Sequence, residues 1–329
     1  MFNMKQQFKY VEQHSWLLII AIVGTVGIYA IYNILPVESG IKSLAPVTDE
    51  EKLAEFRQIR PETPAPVSAE KIFECLIDSF KDGDSFASAI TWLNLDSTVK
   101  KCRKPAENSV IAEAFIGAEP KYFVPGPTPD FEYTMMTIGV GHNIDAEKKI
   151  LKKYKKCSKY VGVDPTAEFN EKLVTDAGGQ FMEMTVGAKD DVSAARILDK
   201  EGDHLQYRWH NVTHSSLQTT FNKANIEKAV DLLLLDVEGA EFEILESFIN
   251  KPENHTTICQ FNVEVHSPWT NGLYKSNIIH TLYRLSKKRE FMLFNVAPAQ
   301  IGHEVFNRCF FINVKDPYCV EKYYPAFLE

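Results

Sequence analysis

The sequence predicts an α/β chain: a doubly wound, mostly parallel sheet, preceded by an N-terminal transmembrane helix and a small helical cap region. Three observations predict it. From about residue 131 strand-like runs alternate with helical faces, the pattern that folds into a parallel sheet covered on both sides. The run Leu232–Leu235 is apolar without alternation, as a central strand buried on both faces requires. Residues 16–35 carry no charge, and twenty residues at about 1.5 Å each reach across a bilayer core.

The membrane segment is expected to be an uncleaved anchor. Trp16, Tyr29 and Tyr32 sit near its ends and Pro36 stops it, with the aromatic rings suited to the interface. A cleaved signal would have a shorter apolar region and a small-x-small site, and Ile28-Tyr29-Ala30 is a poor one. Lys5 and Lys9 precede the span, while Glu38, Asp49, Glu50 and Glu51 follow it with Lys42. That bias puts residues 1–15 in the cytosol as a short tail and the rest in a lumenal or extracellular space. Residues 36–67 hold five prolines among many charges and read as a stem.

Two features fit an oxidising, glycosylating compartment. Asn211-Val-Thr213 and Asn254-His-Thr256 are glycosylation acceptor patterns. Cys75, Cys102, Cys157, Cys259, Cys309 and Cys319 make an even number, open to disulfides or to buried thiols acting as small hydrophobes. With no C-x-x-C pair, neither a zinc nor a thioredoxin-like site is expected.

The whole chain carries −8 and residues 1–35 carry a net +1, leaving the body nine negative. An acidic body repels phosphate backbones, so no nucleic-acid partner is expected. The lysines between Lys148 and Lys156 form the solvated face of a helix, since Ala146, Ile150, Tyr154 and Cys157 take the opposite face.

Residues 68–130 read as an N-terminal cap. Ser68 is a plausible helix cap with Glu70 in the first turn, and Ile72, Phe73, Leu76, Ile77 and Phe80 form an apolar face. From 131 to 329 the strand runs are Tyr133–Val140, Lys159–Asp164, Phe181–Val186, Leu232–Val237, Ile258–His266, Phe291–Val296 and Cys309–Val314. Helical faces fall at Asp145–Cys157, Ala240–Ile249 and Asn277–Ser286.

In an open sheet of this kind ligands bind beyond the C-terminal strand ends, and three such ends carry polar residues. The first is Thr137-Ile-Gly139-Val-Gly141-His142-Asn143-Ile-Asp145: glycines after a strand let backbone approach a ligand, ahead of a helix N-terminus. The second is Asp164-Pro165, about 20 residues further on, where an acid can accept both hydrogen bonds of a ribose diol. A turn or cap aspartate is the plainer reading there, and the spacing favours the ribose. The third is Asp236-Val-Glu238-Gly239-Ala-Glu241-Phe-Glu243. Glu243 serves the helix dipole, but Asp236 and Glu238 precede the helix at the tip of a buried strand, where charges need a partner, a metal or a ligand.

The segment Asp231-Leu-Leu-Leu-Leu-Asp236-Val-Glu238-Gly239-Ala-Glu241-Phe-Glu243-Ile-Leu245 resembles the hallmark of FkbM-family methyltransferases. Cys259-Gln-Phe-Asn-Val-Glu264-Val-His266, Phe181–Ala188, Phe294–Val296 and Cys309–Asn313 resemble later strands of that family. The resemblance covers about residues 131–315. It implies a Rossmann-like methyltransferase sheet and S-adenosyl-L-methionine as methyl donor. It also implies a hydroxyl acceptor, often on a sugar. Gly139, Gly141 and Asn143 would contact the methionine end of the donor and Asp164 its ribose. Asp236 and Glu238 would border methyl transfer, and Glu264 and His266 would face the acceptor. Glu238 or His266 is expected as general base, with a divalent cation on Asp236, Glu238 and Glu264 as the alternative and no metal in the leading reading. Gly139 stands where the family motif has Asp, Asp145 where it has Gly, and Leu234 where it has Lys. A fold retained as a non-catalytic binding module is therefore the rival reading.

Overall fold

The computed structural model describes residues 67–81, 85–128, 130–201, 204–250, 255–268, 277–301 and 304–328. The expected tail and anchor and nearly all of the stem lie outside the described residues, among which no helix is long and apolar enough to cross a membrane.

Three helices open the described chain: α1 (Ala69–Phe80), α2 (Ser85–Leu93) and α3 (Leu95–Arg103). A short hairpin follows, β1 (Glu113–Ile116) and β2 (Pro120–Phe123). Next come β3 (Tyr133–Ile138), α4 (Asp145–Lys153), β4 (Cys157–Asp164), α5 (Ala167–Asp176), β5 (Gln180–Glu183) and β6 (Thr185–Gly187). A long hairpin, β7 (Asp191–Glu201) and β8 (His204–Ser216), leads through α6 (Leu217–Lys223) to β9 (Ala229–Leu235) and α7 (Glu241–Ile249). The chain ends with β10 (Thr257–Val265), α8 (Ile278–Lys288), β11 (Phe291–Ile301), β12 (Glu304–Asn313) and α9 (Pro317–Tyr323).

Seven strands form the main sheet in the order β11-β12-β10-β9-β3-β4-β5. The strands β10, β9, β3, β4 and β5 run parallel, and β12 runs antiparallel between β10 and β11. This is the mostly parallel α/β sheet the alternating pattern predicts. The order reverses between β3 and β9, whose C-terminal ends therefore open a crevice. Leu232, Leu233, Leu234 and Leu235 are all buried, because β9 has a strand on each side and helices over each face.

Asp231, at the start of β9, is almost fully buried. Its carboxylate accepts from the Thr134 amide, the Tyr318 and Tyr323 hydroxyls and Lys322 Nζ, which ties α9 to the sheet. The helix expected to run to Cys157 ends at Lys153. Tyr154 turns extended, its ring joins Phe115, Phe123 and Phe131, and Cys157 already belongs to β4.

The N-terminal helices pack as their pattern requires. The Ser68 side chain accepts from the Lys71 amide, and Ile72, Phe73, Leu76 and Phe80 are buried. The hairpin β1–β2 lies against the sheet through two amide side chains of β10. Asn262 binds the backbone N–H and C=O of Tyr122, and Gln260 those of Val124, all at 2.7–3.0 Å. These buried amides replace a strand ladder, and they carry Glu119 and Lys121 to the end of β10.

Four of the six cysteines form disulfides: Cys75–Cys102 joins α1 to α3 and Cys259–Cys319 joins β10 to α9. Cys157 and Cys309 are free thiols.

Candidate active site

The site is built where β3 and β9 end side by side. The Asp236 amide donates to the Ile138 carbonyl at 2.9 Å. Gly139 follows with φ +81°, and a Cβ there would stand 1.6 Å from the Asp236 carbonyl oxygen. Only glycine lets the two strand ends pass this closely. Gly141 has φ +60° and open space where a Cβ would project, so its backbone faces the crevice unobstructed. The glycines and the acidic turn, apart in sequence, thus meet as the reading required.

A cavity of ≈340 Å³ runs along this junction. Its lining includes Gly139, Gly141, His142, Asp164 and Met184, then Asp236 and Glu238, and Arg196, Tyr207 and Trp209 of the long hairpin, with Arg196 3.5 Å from Glu238.

Asp164 lines the cavity, but its carboxylate is already engaged. One oxygen accepts from the Val140 and Gly141 amides at 2.9 and 3.4 Å; the other accepts from the Thr166 amide and hydroxyl. A carboxylate has about four acceptor sites, and these bonds take all four. Asp164, expected to hold a ribose, lines the cavity and also clamps the glycine loop.

Asn143, also expected at the donor, turns outward. Its side-chain oxygen accepts from the Asp145 amide at 3.0 Å at the start of α4, and the residue is exposed and outside the cavity. Asp145 is likewise exposed and outside it, so its charge does not oppose an anionic ligand there. His142, in the left-handed region at φ +65°, does line the cavity. Its ring packs on Phe169, and its Nε2 is buried without a hydrogen bond.

Glu238 has φ +48° and Gly239 φ +113°. A left-handed conformation at a glutamate is costly and persists where surroundings enforce it. Here Glu241 enforces it. Its side chain is fully buried at the N-terminus of α7. One carboxylate oxygen accepts from the Gly239 amide at 2.7 Å; the other accepts from the His266 amide at 3.1 Å and lies 2.9 Å from His266 Nδ1.

The opposite ring nitrogen, Nε2, lies 3.4 Å from Glu238, 3.9 Å from Glu264 and 4.0 Å from Asp236. Burial pushes the His266 pKa down, but Glu241, Asp236 and Glu238 outweigh it and raise it to about 10. That shift favours the protonated ring near neutral pH. Neither His266 nor Glu264 lines the cavity; both stand behind Asp236 and Glu238 instead of facing an acceptor.

A second layer of charge lies deeper. Arg308 sits 2.5 Å from Glu119 and 2.6 Å from Glu264, and buried Lys121 pairs with Glu119. Burial, Asp236 and Glu119 push Glu264 up to about 8. Glu119 itself is held at about 2, because Lys121 and Arg308 overcome the effect of burial. Asp236 rises to about 6, chiefly by burial. Cationic His266 and Lys121 thus oppose the effect of burial on Asp236.

Two groups of side chains have the spacing of a metal site, Asp236–Glu238–His266 and Glu119–Asp236–Glu264.

The family model for the Methyltransferase FkbM domain matches residues 100–291, more than half of the chain. The chain belongs to the FkbM methyltransferase family. The match begins in α3, ahead of the residues that carry the sequence resemblance, and ends at the start of β11. No curated protein matches the chain. Among solved structures it is similar to M. capricolum TrmK in complex with S-adenosyl-homocysteine, at 12% identity and TM-score 0.30 over 56% of this chain and 63% of that one. It is also similar to a 16S rRNA (adenine(1408)-N(1))-methyltransferase from Catenulisporales acidiphilia, at 13% identity and TM-score 0.31 over 63% and 99% of the two chains. A third is N-methyltransferase NodS from Bradyrhizobium japonicum, at 8% identity and TM-score 0.29 over 55% and 85%. The chain thus spans less than two thirds of the length of the first, and no substrate follows from likeness at this level.

Sequence reasoning gave no role to Glu241 and missed Glu119, Lys121 and Arg308, which lie far from any motif. It also missed the whole long hairpin. Gly202-Asp203 between two runs of high β-propensity was the available signal.

Proposed function

We propose that the chain is an S-adenosyl-L-methionine-dependent methyltransferase that methylates a hydroxyl of a glycan or another secretory-pathway acceptor. One observation carries this reading: Asp236 and Glu238 line the same cavity as Gly139 and Gly141, with the Gly139 α-carbon packed on the Asp236 carbonyl.

The cavity suits the donor. The open backbone at Gly141 and the buried, unpartnered Nε2 of His142 offer polar contacts at one end. Asp236 and Glu238 supply negative charge for a sulfonium in the middle. When bound, the donor supplies an activated methyl group on a good leaving group. The chain's own residues then have two tasks, alignment and proton removal. Arg196, Tyr207 and Trp209 form the wall against which an acceptor is held. Asp236, with a pKa of about 6, accepts the hydroxyl proton, assisted by neighbouring Glu238.

The placement is proposed with the chemistry: a single-pass anchor at residues 16–35, N-terminus cytosolic, domain lumenal or extracellular. The two disulfides support it, since such bonds persist in oxidising compartments. The exposed position of Asn211 suits a glycosylation acceptor.

A second reading, a binding module without donor affinity, is favoured by the filled carboxylate of Asp164 and the outward turn of Asn143. Calorimetry with S-adenosyl-L-methionine separates the two. A micromolar Kd, about −8 kcal/mol, is expected of the enzyme; absence of heat at millimolar donor leaves the module.

A further inference from the structure

We propose that Asp236, Glu238 and His266 bind one divalent transition-metal ion, of the manganese or zinc kind, in the wall of the cavity. The use of that ion in catalysis rests on the methyltransferase reading above; its binding does not.

Three independent features point to it. First, the ligand-type atoms of the three residues lie within 4.8 Å of one another. His266 Nε2 stands 3.4 Å from Glu238 Oε2 and 4.0 Å from Asp236 Oδ1. Atoms held tetrahedrally by one ion at about 2.1 Å lie about 3.4 Å apart, so His266 and Glu238 already have that spacing and Asp236 has to move inward.

Second, the imidazole is braced from behind. The His266 side chain is 7% exposed and that of Glu241 0%, with Nδ1 against the Glu241 carboxylate at 2.9 Å. A carboxylate on the far nitrogen of a histidine fixes the ring and raises the basicity of the nitrogen that faces a metal. Glu241 holds the Gly239 amide with its other oxygen, so one buried side chain sets both the ring and the turn that presents Glu238.

Third, Asp236 Oδ1 is shut off from solvent and accepts no hydrogen bond from the described residues. Buried acceptors are paired in nearly all cases, and an orphan calls for an ion or a ligand.

In the other candidate group, Glu119–Asp236–Glu264, two of the three carboxylates are held by Lys121 and Arg308 at 2.6 Å or less, whereas Glu238 has Arg196 at a looser 3.5 Å. An imidazole with two carboxylates suits Mn²⁺, Fe²⁺ or Zn²⁺ better than all-oxygen cations such as Ca²⁺. Because Asp236 and Glu238 line the cavity, the open positions of the ion would face it and polarise a hydroxyl there. The competing arrangement is an imidazolium that fills the same space, with Arg196 3.5 Å from Glu238 as a second cation.

The test uses the full chain, purified and stripped with chelator, then titrated with Mn²⁺ while free ion is read by electron paramagnetic resonance. The expected result is one ion per chain with micromolar affinity, weakened about tenfold or more in Glu238→Gln and in His266→Gln. Pulsed spectra of the wild-type chain show coupling to a single ¹⁴N, which decides the matter even where a variant fails to fold. No stoichiometric binding, or a bound ion without nitrogen coupling, overturns the proposal. Donor calorimetry on the metal-free chain is read separately. A chain that binds Mn²⁺ but no donor keeps this site and loses the enzyme; the reverse keeps the enzyme and loses the site.

Discussion

The two loops that build the cavity solve the same problem differently. The loop after β3, Gly139–Asp145, presents backbone: its glycines leave room, while the polar side chains around it, Asn143 and Asp164, are spent on holding the loop itself. The loop after β9, Asp236–Glu241, presents side chains: two carboxylates reach the cavity and a third, Glu241, is buried to hold them. In the proposed enzyme, shape and backbone would serve the donor end and charge the reacting end. That division explains how the first motif departs from the family pattern without losing its geometry, whereas the second keeps its acids.

The comparison breaks most visibly where the loops touch. Gly139→Ala drives a Cβ into the Asp236 carbonyl, and backbone cannot yield as a side chain does. We expect a loss above about 4 kcal/mol, seen in urea unfolding as failure to fold. Next in size is Glu241→Gln. Removing a buried charge that serves three hydrogen-bonding groups costs about 1.5–3 kcal/mol, and the same unfolding curves measure it.

A pH series sharpens the contrast. In chelator, His266 is raised from 6.5 to about 10, so its stabilising contribution is complete below pH 6.5 and is lost as pH rises through 10. Thermal melts should fall across that window, and less steeply in Glu241→Gln. Asn143→Ala is the smallest change: about 1 kcal/mol from the lost helix-start contact, with the Kd for S-adenosyl-L-methionine unchanged by calorimetry. A large loss of donor affinity there would return Asn143 to the binding site.

Much of this was legible in the sequence because it depends on local pattern. The leucines of β9 and the alternation of strands and helices gave the sheet, since burial on both faces leaves no polar position. Gly139, Gly141, Asp236 and Glu238 were found because strand ends in such sheets are where ligands bind. What escaped was set by tertiary packing. Glu241 looks like any acid in a first helical turn until β10 brings His266 to it. Glu119 and Arg308 come from a cap hairpin and the antiparallel strand β12, held together by amides of β10 that no spacing rule reveals. Asp164 sits where a ribose acid belongs, and only the hydrogen-bond count shows its acceptors taken. The long hairpin hid because both its faces carry exposed residues, Val192 on one and Ser193 on the other, which blurs the two-residue period.

The central claim is that the glycine loop and the Asp236–Glu238 turn enclose one donor cavity. Crystals grown with S-adenosylhomocysteine test it most directly. The account predicts the ligand against Gly141 and His142 with its sulfur facing the two carboxylates. A ligand bound elsewhere, or no density at saturating concentration, would contradict it.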